Sequence, residues 1–295
     1  MAVFFMVTFT KRNQPVSKIK QPTLTAITRL APTPSGYLHQ GNAANFALNA
    51  LLAGNEGHLL LRIDDLDRAR FREAYLEDIF RVVDWLGIKV TEGPVDPADF
   101  HANWSQEHRL PQYQEALDHL RGHPLVFACP CSRKDMASGE HRYDCLNGNL
   151  SLDDVNVAWR INTRELDLVS IPDLVRPEPF SVDLHATMPD FVVRKKDGRP
   201  SYQPACVVDD VAFKINRVGR GQDLLPSTAA QAVLAEMMGF APLFERINFV
   251  HHPLVVATNG EKLSKSAGNA EGPIIGTSGT PTDFFNIAHH WLNKA

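Results

Sequence analysis

The chain has 295 residues, enough for one large or two modest domains. Hydrophobic residues make up 44% and charged residues 22%, close to the average of globular proteins. The net charge of −4 excludes a global basic field for nucleic acid, though not a local patch, and no apolar run approaches the roughly 20 residues of a membrane helix.

The first stretch, MAVFFMVTFTKRNQ, carries Lys11 and Arg12 after its apolar part and has no small-residue cleavage site. A secretory signal has the opposite order. Residues 1–25 are therefore expected to be an extension without export function, and the location to be cytoplasmic. TAITRLAP (25–32) reads as a buried strand and PTPSG as a turn. LHQGNAANFALNALLAG places Leu38, Phe46, Leu48, Leu51 and Leu52 on a helix that stops at Gly54. HLLLRID (58–64) has strand character, and FREAYLEDIFRVVDWLG repeats apolar residues at helical spacing. Strand, helix, strand, helix implies a parallel sheet with right-handed crossovers.

RLPQYQEALDHLRGH (109–123) is a further expected helix. The middle of the chain holds AWRIN, FSVDL and FVVRK, three short strands of a β-rich insertion. YQPACVVDDVAFKINRVGRG is expected to return to long apolar strands, with Cys206 packed in one of them. STAAQAVLAEMMG follows as a helix with Ser227 as its N-cap, then INFVHHPLVV as a strand. The lysine-rich EKLSKSAGNAEG and a closing helix, TPTDFFNIAHHWL, complete the series.

Chemistry concentrates in two places. APTPSGYLHQGN joins the first strand to the first helix, where an α/β sheet binds its ligands. It lacks both GxxxxGK[ST] and GxGxxG. It offers Pro34, Gly36, His39, Gly41 and Asn42 at a helix start, where phosphate is favoured. His39 could donate to phosphate as charge develops, or simply cap the helix. A cradle without its own lysine needs cations from elsewhere. KLSKS supplies Lys262, Ser264 and Lys265 on a loop able to close over a nucleotide.

The second place is a cysteine cluster. Cys129, Cys131 and Cys145 fall within 17 positions, a spacing that favours metal over disulfides in a reducing compartment. Three thiolates suit a structural zinc that lacks one ligand. His141 and Tyr143 are both available, and coordination chemistry alone prefers the histidine.

HQGN (39–42) and KLSKS (262–266), in that order, resemble the HIGH and KMSKS signature pair of class I aminoacyl-tRNA synthetases. RLAPTPSGYLHQGN, LRIDDLD (61–67), YQPACVVDD (202–210) and GRGQDLLPSTAAQ (219–231) resemble the glutamyl branch of that family. The resemblance covers about four-fifths of the chain, Thr28 to Ser266. It implies an α/β Rossmann-like doubly wound parallel sheet, interrupted by a zinc-containing β-rich insertion and lacking an anticodon-binding domain.

In numbers, the implied organisation is an extension over 1–25 and catalytic halves over 26–124 and 196–270. The insertion covers 125–195 and the last helix 271–295. The resemblance also implies ATP with Mg2+ at His39, Lys262 and Lys265. It implies L-glutamate at Arg29, Leu30, Ala31, Pro32 and Thr33, with Asp64, Tyr202 and Arg220 completing the site. For the zinc it implies Cys129, Cys131, Tyr143 and Cys145. Charge logic agrees for the substrate, since two carboxylates and an ammonium call for arginines and one acid. Arg220 favours a carboxylate over the neutral amide of glutamine.

The chain ends 29 residues after Ser266, too short for an anticodon-binding domain. With the CxC…Y…C pattern, this resembles the short branch of the glutamyl family. That branch carries glutamate to queuosine in the anticodon of tRNA(Asp). A monomer is the simplest expectation. Acylation of a tRNA 3′ end, nucleotidyl transfer to a small molecule, and a silent zinc-held RNA-binding module are the competing readings.

Overall fold

The computed structural model describes residues 25–132, 134–136, 145–146, 148, 150–254, 273–276 and 279–293. Strand β1 (Ile27–Leu30) pairs in parallel with β2 (His58–Leu61), with Ile27 opposite His58 and Leu30 opposite Leu61. Helix α1 (Gln40–Ala53) makes the crossover between them. It ends at Gly54, whose φ of 68° lies in the region that favours glycine. Helix α2 (Glu73–Trp85) buries Leu76, Ile79, Val82 and Val83, one face at helical period. A short turn, α3 (Pro97–Asp99), precedes the longer α4 (Leu110–Arg121).

The middle of the chain changes character. β3 (Val126–Cys129), β4 (Ala158–Ile161) and β7 (Val192–Arg194) form an antiparallel sheet in the order β3-β4-β7. Between β4 and β7 lie the hairpin β5 (Val169–Ile171) with β6 (Phe180–Val182) and a single turn, α5 (Leu184–Thr187). Parallel structure then resumes with α6 (Tyr202–Ala212), β8 (Arg217–Gly221), α7 (Leu225–Met237), α8 (Ala241–Phe244) and β9 (Asn248–His252). β8 and β9 pair in parallel. Helix α9 (Pro281–Leu292) packs back on α1 and begins with a capping box from Thr280 and Asp283.

The two parallel pairs meet at Asn216. Its side-chain oxygen accepts from the Ile27 N–H at 2.8 Å, and its own N–H donates to the Ile27 carbonyl at 2.9 Å. Asn49 of α1, fully buried, fastens the helix across the junction. Its oxygen accepts from the Gly219 N–H and the Thr28 hydroxyl, each at 2.9 Å, and its amide donates to the Gly219 carbonyl at 3.0 Å. α1 comes so close here that a Cβ on Gly219 would lie 2.7 Å from a Leu48 methyl. Only glycine permits this approach. Apolar packing falls into two bodies, one around α1, α2 and α9, the other around α4, α6, α7 and the inserted strands.

Two sequence expectations are corrected. YQPACVVDD is the helix α6, with Cys206 on it, and not a strand. Every residue from Gln203 to Asp210 is buried, and a helix buried all round has no alternation to separate it from a strand. Ser227 does not cap α7, which starts at Leu225 with Pro226 in its first turn. The Ser227 hydroxyl instead accepts from Gln203 at 3.0 Å inside the protein. The expected strand FSVDL is β6, and the β5–β6 hairpin it completes leans on the parallel sheet. Leu174 donates to the Phe249 carbonyl at 2.8 Å.

Among the described residues, no helix is long and apolar enough to cross a membrane.

Candidate active site

A cavity of about 490 Å³ opens at the carboxyl ends of β1 and β8, where open α/β sheets hold their ligands. β1 and the turn after it supply Arg29, Ala31, Pro32 and Thr33. The start of α1 supplies His39, Gly41 and Asn42. Tyr202 comes from the first turn of α6, and Arg220 from β8. Nine residues singled out in the sequence therefore share one cavity wall.

The remaining candidates sit elsewhere. Leu30 is fully buried in the apolar core, and Pro34 and Gly36 are buried in the turn without lining the cavity. Asp64 borders a second, adjoining cavity. Lys262, Ser264, Lys265, His141 and Tyr143 lie outside the described residues.

His39 is the N-cap of α1. Its Nδ1 accepts from the Gly41 N–H at 3.1 Å, and its own N–H donates to the Asn42 side chain at 3.0 Å. With Nδ1 accepting, the proton of the neutral imidazole sits on Nε2. Capping and lining are thus combined in one residue, and two substitutions separate them. His39→Asn keeps a side chain that caps well, so the melting temperature should hold while turnover at this cavity falls by about 10²-fold. His39→Ala should in addition lose about 1 kcal/mol of stability. Full turnover in the asparagine variant, measured alongside a thermal melt, would remove the imidazole from the chemistry.

Beneath the cavity floor lies a buried ionic network. Asp210 accepts from Arg29 at 2.8 and 3.3 Å and from Arg62 at 2.6 Å. Burial alone would raise this carboxyl, but the two guanidiniums overcome it and hold it down to about 2. Arg62 also grips both oxygens of Asp64, at 2.7 and 3.0 Å. Burial nevertheless raises Asp64 above its ordinary value. Asp209 is matched to Arg109, Tyr113 and Gln106 at 2.8 to 3.2 Å.

Arg220 differs from the other three arginines. It is 4% exposed, and among the described residues no carboxylate lies within ion-pair distance. Its Nη1 donates to the neutral oxygens of Thr228, at 3.1 Å, and Gln231, at 2.9 Å. Its Nε is buried with no partner among the described residues. Arg29, Arg62 and Arg109 are each matched directly to a carboxylate of Asp64, Asp209 or Asp210, whereas Arg220 at the cavity wall meets only neutral side chains among the described residues. Tyr202, partly exposed on the same lining, has its phenol pushed up mainly by desolvation and is a neutral donor at physiological pH.

The second cavity, about 650 Å³, shares Thr33 and Tyr202 with the first. Its lining is basic, with Arg70, Arg160, Lys195 and Lys196. Arg160 is 8% exposed and its Nε has no partner among the described residues. Cys131 forms part of the same lining.

Cys129, Cys131 and Cys145 are buried together, their sulfurs all within 4.8 Å of one another. The Cys131 and Cys145 sulfurs are 3.6 Å apart. Sulfurs bound at 2.3 Å to a tetrahedral zinc would be about 3.8 Å apart, so the donor set fits that ion. One zinc per chain is the expected result of metal analysis under reducing, chelator-free conditions. Metal-free protein that melts at the same temperature would contradict the assignment.

Eight wall residues escaped the sequence reading, among them two polar side chains in contact. Asn45 lines the cavity one turn after Asn42, and its amide lies 3.1 Å from Nε2 of His252, a second lining residue. His252 stacks on Trp291 of α9 at 3.9 Å. Asn42, Asn45 and Asn49 repeat at helical spacing on an otherwise apolar helix. That polar stripe was the available signal for a face turned to a ligand and a strand end.

A parallel α/β core with a helix start at its strand ends is the arrangement of a Rossmann-like ligand-binding domain. The comparisons give its particular family. Residues 25–271 match the family "tRNA synthetases class I (E and Q), catalytic domain", and the chain belongs to that family. A glutamate–tRNA ligase of Dehalococcoides mccartyi is 34% identical over 251 residues, covering 81% of this chain and 50% of its own length. A glutamyl-Q tRNA(Asp) synthetase of Nitratidesulfovibrio vulgaris is 33% identical, with 86% and 82% covered. The crystal structure of a glutamate–tRNA synthetase from Elizabethkingia anophelis superposes with a TM-score of 0.67 at 26% identity, over 84% of this chain and 54% of that one. The chain spans about half the length of most of the curated relatives it matches.

Proposed function

We propose that this protein activates L-glutamate with ATP and transfers the glutamyl group to queuosine in the anticodon of tRNA(Asp), the activity of a glutamyl-Q tRNA(Asp) synthetase. The observation that carries the substrate is Arg220, a buried guanidinium at the cavity wall with no acid partner among the described residues. Glutamate has two carboxylates and one ammonium, a net charge of −1. The side-chain carboxylate supplies the direct pairing that Arg220 lacks. Glutamine, with a neutral amide, leaves Arg220 without a carboxylate partner.

In the proposed chemistry, an α-carboxylate oxygen of glutamate attacks the α-phosphorus of ATP. The bond to the bridging oxygen breaks and pyrophosphate leaves. Arg220 and Tyr202 hold the side chain, while Arg29 and the backbone of Ala31 to Thr33 shape the floor of the site. His39, Lys262 and Lys265 stabilise the charge that develops on the phosphate oxygens. Magnesium bound with ATP would screen the departing pyrophosphate. A hydroxyl of the acceptor then attacks the carbonyl carbon of the adenylate, AMP departs, and an ester remains.

The second cavity suits the acceptor. It opens onto the first at Thr33 and Tyr202, and its basic lining offers partners for phosphates. A zinc on Cys129, Cys131 and Cys145, with Tyr143 or His141 as fourth ligand, would stiffen this wall of the 125–195 insertion.

The name and near-full coverage of the N. vulgaris relative support queuosine as acceptor. The glutamate–tRNA ligases, of which this chain covers about half, support a 3′ end instead. Labelled glutamate, offered to tRNA(Asp) with and without queuosine, separates the two. Label in the anticodon loop that depends on queuosine is expected. Label at the 3′ adenosine, with or without queuosine, would replace this acceptor by the other.

A further inference from the structure

A buried chain of side chains runs from Arg220 back into the fold. Asp173, after β5, lies 2.9 Å from Nδ1 of His251 and accepts from the His251 backbone N–H at 2.8 Å. Nε2 of His251 lies 2.9 Å from the Thr228 hydroxyl, which accepts from Nη1 of Arg220 at 3.1 Å. The side chains of Asp173, His251 and Thr228 are all 0% exposed.

The direction of each bond follows from its ends. A carboxylate only accepts, so Nδ1 of His251 carries the proton. Nε2 of the neutral imidazole then accepts, and the Thr228 hydroxyl donates to it. The competing acceptor for that hydroxyl, the Leu224 carbonyl, is farther away at 3.2 Å. The lone pairs of Thr228 are left for Arg220. Burial and the nearby Arg220 charge hold the imidazole below its ordinary pKa against the pull of Asp173, in keeping with the neutral form. Every donor thus points from Arg220 toward Asp173.

The chain holds one edge of the guanidinium only. Nη1 is occupied by Thr228 and Gln231. Nε has no partner among the described residues, and Nη2 has a weak one, the Cys206 sulfur at 3.9 Å. Nε and Nη2 form the edge that grips a carboxylate with two parallel bonds.

We propose that Asp173, His251 and Thr228 are positioning residues that clamp Arg220 by Nη1 and so present its Nε–Nη2 edge to the side-chain carboxylate of the amino acid. They set selectivity for glutamate without touching it. The inference rests on the assignment of Arg220 to the substrate carboxylate.

The test is pyrophosphate exchange by the full chain, with glutamate or glutamine, in Thr228→Val, Thr228→Ser and Asp173→Asn. Valine matches threonine in shape and lacks the hydroxyl. Thr228→Val should raise KM for glutamate about tenfold, the value of one buried hydrogen bond to a charged group. KM for ATP and kcat should stay within about twofold. The preference for glutamate over glutamine should fall in step. Thr228→Ser should restore the wild-type values, and Asp173→Asn should shift KM for glutamate in the same direction as valine. An unchanged KM for glutamate in both Thr228→Val and Asp173→Asn would overturn the proposal. So would equal losses for glutamate and ATP with no rescue by serine, which is the signature of general damage. Wild-type protein without glutamate exchange would instead sink the reading of Arg220, and the positioning role with it.

Discussion

Arg220→Gln should raise KM for glutamate by about a hundredfold or more, because a carboxylate left buried without its cation costs about 2–5 kcal/mol. KM for ATP should change little. Stability should respond in the opposite way from most buried arginines. Removing a structural one strands its acid partner, whereas Arg220 has no acid partner among the described residues. The melting temperature of Arg220→Gln should therefore stay constant or rise. A large drop in stability with unchanged glutamate kinetics would make Arg220 a structural residue and would remove the basis of the substrate assignment.

Asp210→Asn is the complementary case. Asp210 is the acid shared by Arg29 and Arg62, 1% exposed and at 2.6 to 3.3 Å from both. Arg62 would keep Asp64, but Arg29 would lose its carboxylate. Breaking a buried pair in this way costs about 3–5 kcal/mol, or a drop in melting temperature of roughly 10 °C in a chain of this size.

The pH dependence follows from the depressed carboxyl. With a folded value of about 2 against an unfolded value of about 4, Asp210 stabilises the fold above pH 4. That contribution is lost as pH falls from about 4 toward 2. Asp64, raised by burial, acts in the opposite sense and softens the slope. In Asp210→Asn the acid loss over that window should shrink. A variant as stable as wild type, with the same acid profile by denaturant titration, would show that the network does not hold the floor of the site.

The parts of this protein legible in its sequence are those where local chemistry and fold agree. α2 carried a clean helical period, β1 and β2 were short apolar runs, and α1 was an alanine- and leucine-rich stretch with a glycine stop. The cluster of Arg29, His39, Tyr202 and Arg220 followed from motif and charge, and these residues line one cavity. α6 was misread because burial on all sides erases periodicity. The misreading had a consequence. Placed on a strand, Asp209 and Asp210 would point to opposite faces. On a helix they sit at one end and serve separate arginines. The assignment of Asp64 as a ligand for the substrate ammonium met a limit of another kind. Sequence showed the charge but not that Arg62, two residues earlier, takes both of its oxygens. The chain from Asp173 to Thr228 was invisible for a third reason. Its members come from a hairpin connection, a helix and a strand, joined only by tertiary packing.

Glutamate-dependent exchange of pyrophosphate into ATP, measured without any RNA, tests the central claim most directly. The proposed adenylate formation involves no acceptor, so exchange should proceed with glutamate and fall by about a hundredfold or more with glutamine, the cost of leaving Arg220 without a carboxylate. Exchange with glutamine at the same rate, or none with glutamate, would contradict it.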